Sequence, residues 1–118
     1  MAMRAIIGCV GREWMLREQE LPLIRLGPVR GCVVAAGLNR ADLLMLDGKY
    51  GLNSKINDLY GAGMELAGIV ETSSPLSPHL PVGARVMGVT QGAFVDYALC
   101  HPGTLMPIPD NVCHSKTQ

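Results

Sequence analysis

Apolar residues in this chain come in short runs, separated by glycine, proline and polar turns. Residues 3–10 read as a first strand, and residues 14–20 alternate weakly and read as a second, after which Leu21-Pro22 breaks the pattern. Residues 29–37 are rich in Val and Ala without helical spacing, and Gly27-Pro28 opens them with a turn signal; Gly31 inside the run marks a bulge or a weakened strand. One helix is predicted, over 40–47. Asn39 is its N-cap and Asp42 falls in its first turn, where a carboxylate is favoured. Leu43, Leu44 and Leu46 form the apolar face, and Gly48 suits the left-handed position that ends it.

Residues 51–62 are polar and irregular and read as a loop. Residues 64–72 read as a strand with Gly68 as a bulge or close contact, and 73–81, rich in Pro and Ser, as a surface loop. Two more strands, 84–89 and 93–100, are expected to form a hairpin through Thr90-Gln91-Gly92. Prolines keep Leu105–Asp110 extended, and the last eight residues carry no packing signal. Six or more short strands and one short helix predict a mainly β fold, an antiparallel barrel or sandwich.

Composition narrows the function classes. The 118 residues suit one domain, and 48% hydrophobic against 17% charged residues is the profile of an ordered globule. Ten basic and ten acidic residues are scattered singly, which argues against nucleic acid and anionic membrane as partners. No apolar run approaches the ~20 residues of a membrane helix. The N-terminal run lacks the length and cleavage site of a signal peptide, so the expected location is cytoplasmic. A neutral, apolar-rich surface suggests that a partner or second domain covers part of it. Cys9, Cys32, Cys100 and Cys113 show no Cys-x-x-Cys spacing and read as reduced, buried or incidental thiols.

The candidate chemistry is sparse. Gly61-Ala62-Gly63 resembles a dinucleotide loop, but Leu66 stands where its third glycine is needed, and a strand follows in place of a helix. His79, His101 and His114 lie in loops or the tail, without the convergent spacing of a metal site, and no metal is expected.

The informative segment is Val34-Ala35-Ala36-Gly37-Leu38-Asn39-Arg40-Ala41-Asp42-Leu43-Leu44, then Gly48-Lys49-Tyr50 and Gly63-Met64-Glu65-Leu66-Ala67-Gly68-Ile69-Val70. Pro81-Val82-Gly83-Ala84-Arg85-Val86, Gly92-Ala93-Phe94-Val95-Asp96-Tyr97 and Leu105-Met106-Pro107-Ile108-Pro109-Asp110 follow in order. In this order and spacing the chain resembles the medium-chain dehydrogenase/reductase superfamily, in its zinc-independent quinone oxidoreductase branch. The resemblance implies a GroES-like catalytic domain over 1–110, with 111–118 a frayed tail. That fold is a mainly β antiparallel barrel with one or two short helices and no Rossmann domain. The zinc-binding members carry Cys at position 39 and His at position 64; Asn39 and Met64 stand here, neither a plausible zinc ligand.

The same resemblance implies hydride transfer from NADPH to quinones, enones or related activated alkenes. Asn39 matches the family's active-site Asn, and Tyr50 its cleft Tyr, both candidate catalytic residues; Asn39, Arg40 and Asp42 are the candidate cofactor contacts. The plainer readings stand beside these. Asn39 caps the helix, Asp42 supports it, and Tyr50 covers the loop base. Ala84 replaces the acidic residue that precedes Arg-Val in the family. The family's cofactor sits in a following Rossmann domain, so the chain by itself is expected to be inactive and to bind NADPH weakly. Its expected partners are a Rossmann-domain chain or a second copy in a homodimer. A non-catalytic binding or self-assembly module on the same fold, or a gene remnant, are the competing readings.

Overall fold

The computed structural model describes residues 2–23, 27–49 and 55–111. It contains β1 (Ala2–Cys9), β2 (Trp14–Glu20), β3 (Val29–Gly37), α1 (Arg40–Leu46), β4 (Leu59–Gly61), β5 (Glu65–Thr72), β6 (Arg85–Val89), β7 (Tyr97–Cys100) and β8 (Leu105–Pro107). The strands form two antiparallel sheets, in the orders β2-β1-β4 and β7-β3-β5-β6-β8. The expected mainly β, antiparallel architecture with one short α-helix is the observed one, and the described residues contain no Rossmann unit. Among the described residues no helix is long and apolar enough to cross a membrane.

The two sheets are joined by residues 94–96. Ile6 N–H donates to the Phe94 carbonyl (2.8 Å), Asp96 N–H to the Arg4 carbonyl (3.0 Å), and Val33 N–H to the Asp96 carbonyl (2.9 Å). The Asp96 carboxylate repeats the link, accepting from the Arg4 backbone N–H at 2.8 Å and from its guanidinium at 3.1 Å. The strand expected over 93–100 is confined to 97–100, because the preceding residues divide their bonds among several elements. The predicted hairpin is also corrected. β6 pairs with β5 and β8, while β7 pairs with β3, so Thr90-Gln91-Gly92 crosses between strands that do not touch as a ladder.

Two register shifts interrupt the β3–β5 ladder, one at Arg30/Gly31 and one between Val33 and Ala35. The core is built from Val29, Leu66, Val70, Leu80, Val86, Ala93, Ala98, Cys100 and Leu105. The expected surface loop at 73–81 is only partly one, since Ser74, Ser77 and Leu80 are buried within it. Leu59–Gly61, loop-like in sequence, forms the short β4 by pairing with β1. Trp14 ties this sheet together, its indole N–H reaching the Tyr60 hydroxyl (3.2 Å) and its ring meeting Phe94 edge-on with centroids 6.0 Å apart.

At the far end of β3, Arg30 forms a two-pronged pair with Glu71 (2.7 and 3.0 Å) and also donates to the Pro22 carbonyl at 3.0 Å. Hydrogen bonding to Arg30 holds the Glu71 carboxyl below its ordinary value. A lowered carboxylate pKa adds stability above the unfolded-state pKa and loses it as pH falls through the folded one. Glu71→Gln is therefore expected to lower stability at neutral pH by no more than about 1 kcal/mol, since the pair is partly exposed. It is also expected to flatten the acid limb of the stability curve below about pH 4.3. Urea midpoints from pH 3 to 7 would read this; parallel curves for parent and variant would refute it.

Candidate functional site

β3 delivers the chain to Leu38 and Asn39, and the backbone then turns into α1. Asn39 sits at the N-cap with extended angles (φ −117°, ψ 156°), as its residue type predicts. Its N–H donates to Asp42 Oδ2 at 2.8 Å, and Asp42 N–H donates back to the Asn39 carbonyl at 3.0 Å. Asp42 is 2% exposed, and its other oxygen, Oδ1, has no hydrogen-bond partner among the described residues. The buried carboxylate thus holds Asn39 in place, in the manner of a capping box. At the other end Gly48 takes the left-handed angle expected of it (φ 74°), and Leu46 accepts from Gly11 N–H at 2.7 Å, docking the helix on the β1–β2 turn.

Of the candidate residues, Asn39 is half-buried, Arg40 exposed and Asp42 buried, all at one end of α1. Tyr50 lies outside the described residues. Asp42 in this position supports the helix, and a direct ligand contact from it would require the surrounding shell to open. Asp42→Ala is expected to cost about 1 kcal/mol by removing the acceptor of the Asn39 N–H. Comparing thermal denaturation of Asp42→Ala with that of Asp47→Ala, whose side chain is exposed, would test this; equal midpoints would refute it.

Beside α1, Met45, Met64, Val89, Thr90 and Gln91 line an apolar cavity of about 280 Å3. Thr90 N–H donates to the Met64 carbonyl (2.9 Å), which holds its two main walls together. Sequence reasoning placed none of Met45, Thr90 or Gln91 in a site; only tertiary pairing brings them to Met64. The residues at positions 39 and 64 are thus a helix cap and a cavity wall. Among the described residues no group of three His, Cys, Asp or Glu side chains converges on a metal site.

The remaining candidates are explained by structure. His101 is a cap, its Nδ1 accepting from Gly103 N–H at 3.0 Å, and His79 is exposed. Cys9, Cys32 and Cys100 are free thiols, and burial pushes the Cys100 thiol up to about 11, leaving it inert as a nucleophile at neutral pH. Arg85, which lacks the family's acidic neighbour, donates to the Pro109 carbonyl at 2.7 Å.

The turn at Gly61 and Gly63 does not fit a pyrophosphate. At Gly63 (φ 96°) a Cβ would meet the Phe94 ring at 2.6 Å, and one at Gly61 would stand 3.1 Å from Gly92 Cα. These glycines serve close packing, and no helix begins after them to hold a pyrophosphate.

This combination of two antiparallel sheets and one short helix defines a GroES-like domain. The sequence profile of the alcohol dehydrogenase GroES-like domain family matches residues 27–110, and the chain belongs to that family. A probable oxidoreductase from Mycobacterium abscessus superposes with a TM-score of 0.87 at 26% identity, over 98% of this chain and 38% of that one. The quinone oxidoreductase of Thermus thermophilus, solved with and without NADPH, gives 0.76 at 28% identity, over 95% of this chain and 34% of that one. Among curated proteins, erythronolide synthase EryA2 of Saccharopolyspora erythraea is 36% identical over 93 residues. That match covers 79% of this chain and 2% of the synthase. The chain therefore spans a small part of the synthase and little more than a third of the solved oxidoreductases.

Proposed function

We propose that this chain is the substrate-side domain of a zinc-free, NADPH-dependent oxidoreductase acting on quinones, enones or related activated alkenes. It turns over only beside a nucleotide-binding unit that supplies the hydride donor. The observation that carries this reading is Asn39, locked at the cap of α1 by a buried carboxylate. With its backbone held by Asp42, Asn39 can offer its side-chain amide N–H to a carbonyl oxygen that gains negative charge as hydride adds to the conjugated carbon. The apolar crevice of Met45, Met64 and Val89 suits a flat ring, which adaptable thioethers pack well against. Arg40, exposed one position on, is the candidate contact to the cofactor, and Tyr50 the second candidate donor.

The test is a titration of the isotope-labelled chain with a fully substituted benzoquinone, which adds no thiol. Saturable shifts are expected at Asn39, Met45, Met64 and Thr90. Asn39→Ala should weaken binding roughly fivefold, the equivalent of one hydrogen bond. Shifts confined to other residues, or none, would sink the reading. NADPH alone is expected not to bind up to millimolar concentration; micromolar binding would remove the need for a second unit. Exposed Leu38 (65%) and Leu43 (50%) at this end also suit the self-assembly reading, which a concentration-dependent dimer in sedimentation would favour.

A further inference from the structure

The outer face of the five-stranded sheet carries a second groove of about 300 Å3, which meets the crevice beside α1 at Val89. Its rows follow from the ladder. Ala67 lies opposite Met87 and Met87 opposite Met106, while Glu65 lies opposite Val89. Directly opposed residues in an antiparallel sheet share a face, as do residues two apart on one strand. All five side chains therefore stand on one surface. Ala67 leaves depth between Met87 and Met106, and Met106 (57% exposed) and Val89 (55%) show that this face is not core.

One charge closes the groove. Glu65 pairs across the sheet with Gly37, and a Cβ at Gly37 would meet the Glu65 carboxylate, with Cδ at 3.0 Å and Cγ at 3.1 Å. The side chain is thus laid across the bare backbone of β3, along the groove's wall. Among the described residues the Glu65 carboxylate has neither a hydrogen bond nor an ion pair. An apolar trough with two thioethers and one unpartnered carboxylate complements an aromatic body carrying a positive charge.

We infer that this groove binds small arylalkyl ammonium ions, the ring between Met87 and Met106 and the ammonium on Glu65. The site is independent of the oxidoreductase reading. Its volume is at the low end of small-molecule pockets, which fits one ring and a short chain.

The test is titration of the methionine-methyl-labelled full chain with phenethylammonium, 2-phenylethanol and 3-phenylpropionate. Saturable shifts at Met87 and Met106 are expected with the cation. Binding of the alcohol should be about fivefold weaker, as befits a partly exposed ion pair, and the anion should give no shift. Glu65→Gln should abolish the preference for the cation while leaving the spectrum folded. Gly37→Ala, which displaces the carboxylate from β3, should weaken the cation alone. Equal affinity for all three probes, an unchanged preference in Glu65→Gln, or silence at Met87 and Met106 up to roughly 10 mM would each overturn the inference. The quinone titration reads Met45 and Met64 instead, so the two readings fail separately.

Discussion

Gly68→Val is expected to unfold the protein under native conditions, or to lower its stability by about 3 kcal/mol or more. β5 is the central strand of its sheet, flanked by β3 and β6, and Gly68 lies opposite both Val33 and Val86. A Cβ at this position would overlap the Cys32 carbonyl oxygen and stand 3.1 Å from the carbonyl carbon and 3.3 Å from Val33 Cα. All three atoms are backbone, so no rotamer change relieves the contact. Relief requires β3 to move away from β5, which would break their ladder at its bulge. Gly31→Ala is the control, because its Cβ would meet only the Ile69 carbonyl oxygen, at an ordinary 3.6 Å. That variant should stay within about 1 kcal/mol of the parent. Urea denaturation followed by circular dichroism measures both, and a parent-like midpoint for Gly68→Val would show that the strands are not in this register.

The contrast between these two glycines shows what a sequence can carry. Gly68 was legible as a close approach because a lone glycine in an apolar strand weakens it unless a bulge or a neighbouring backbone needs the space. The first three strands and α1 were legible for local reasons: an alternating or Val/Ala-rich run, a capping Asn39, an acidic third position and a terminating Gly48. β4 was not, since Leu59, Tyr60 and Gly61 become a strand only through their pairing with β1, some fifty residues earlier in the chain. Ala93–Asp96 failed in the opposite sense. Its composition suits a strand, yet its backbone bonds are divided among Arg4, Ile6, Ala62, Gly63 and Val33. At the site, Asn39 was legible because a helix cap has a residue signature. The approach of Glu65 to Gly37 was not, because it depends on the register beyond the Val34 bulge, which no local pattern encodes.

The second large effect is expected from the Pro-rich segment. Leu80→Ala should cost about 3 kcal/mol, although Leu80 sits in a stretch whose composition reads as surface loop. Leu80 is fully buried, in the cluster that holds Val29, Val70 and Val86. Its backbone is fixed on both sides, its N–H donating to the Ser77 carbonyl (3.0 Å) and its carbonyl accepting from Ser73 Oγ (2.8 Å). Ser74 and Ser77 are themselves buried, at 5% and 2% exposure. Pro75, Pro78 and Pro81 stiffen the segment, so it has little freedom to sink inward and fill the space a truncated side chain leaves. The cavity term then adds to the lost transfer energy, which places the expected cost well above that of deleting a surface methyl group. Leu76, four residues earlier and 65% exposed, supplies the comparison: Leu76→Ala should change stability by no more than about 0.5 kcal/mol. Because Leu80 touches neither the α1 crevice nor the outer groove, folded Leu80→Ala protein should bind the quinone probe as the parent does. A midpoint for Leu80→Ala equal to that of Leu76→Ala would mean that the segment lies on the surface and that the core closes without it.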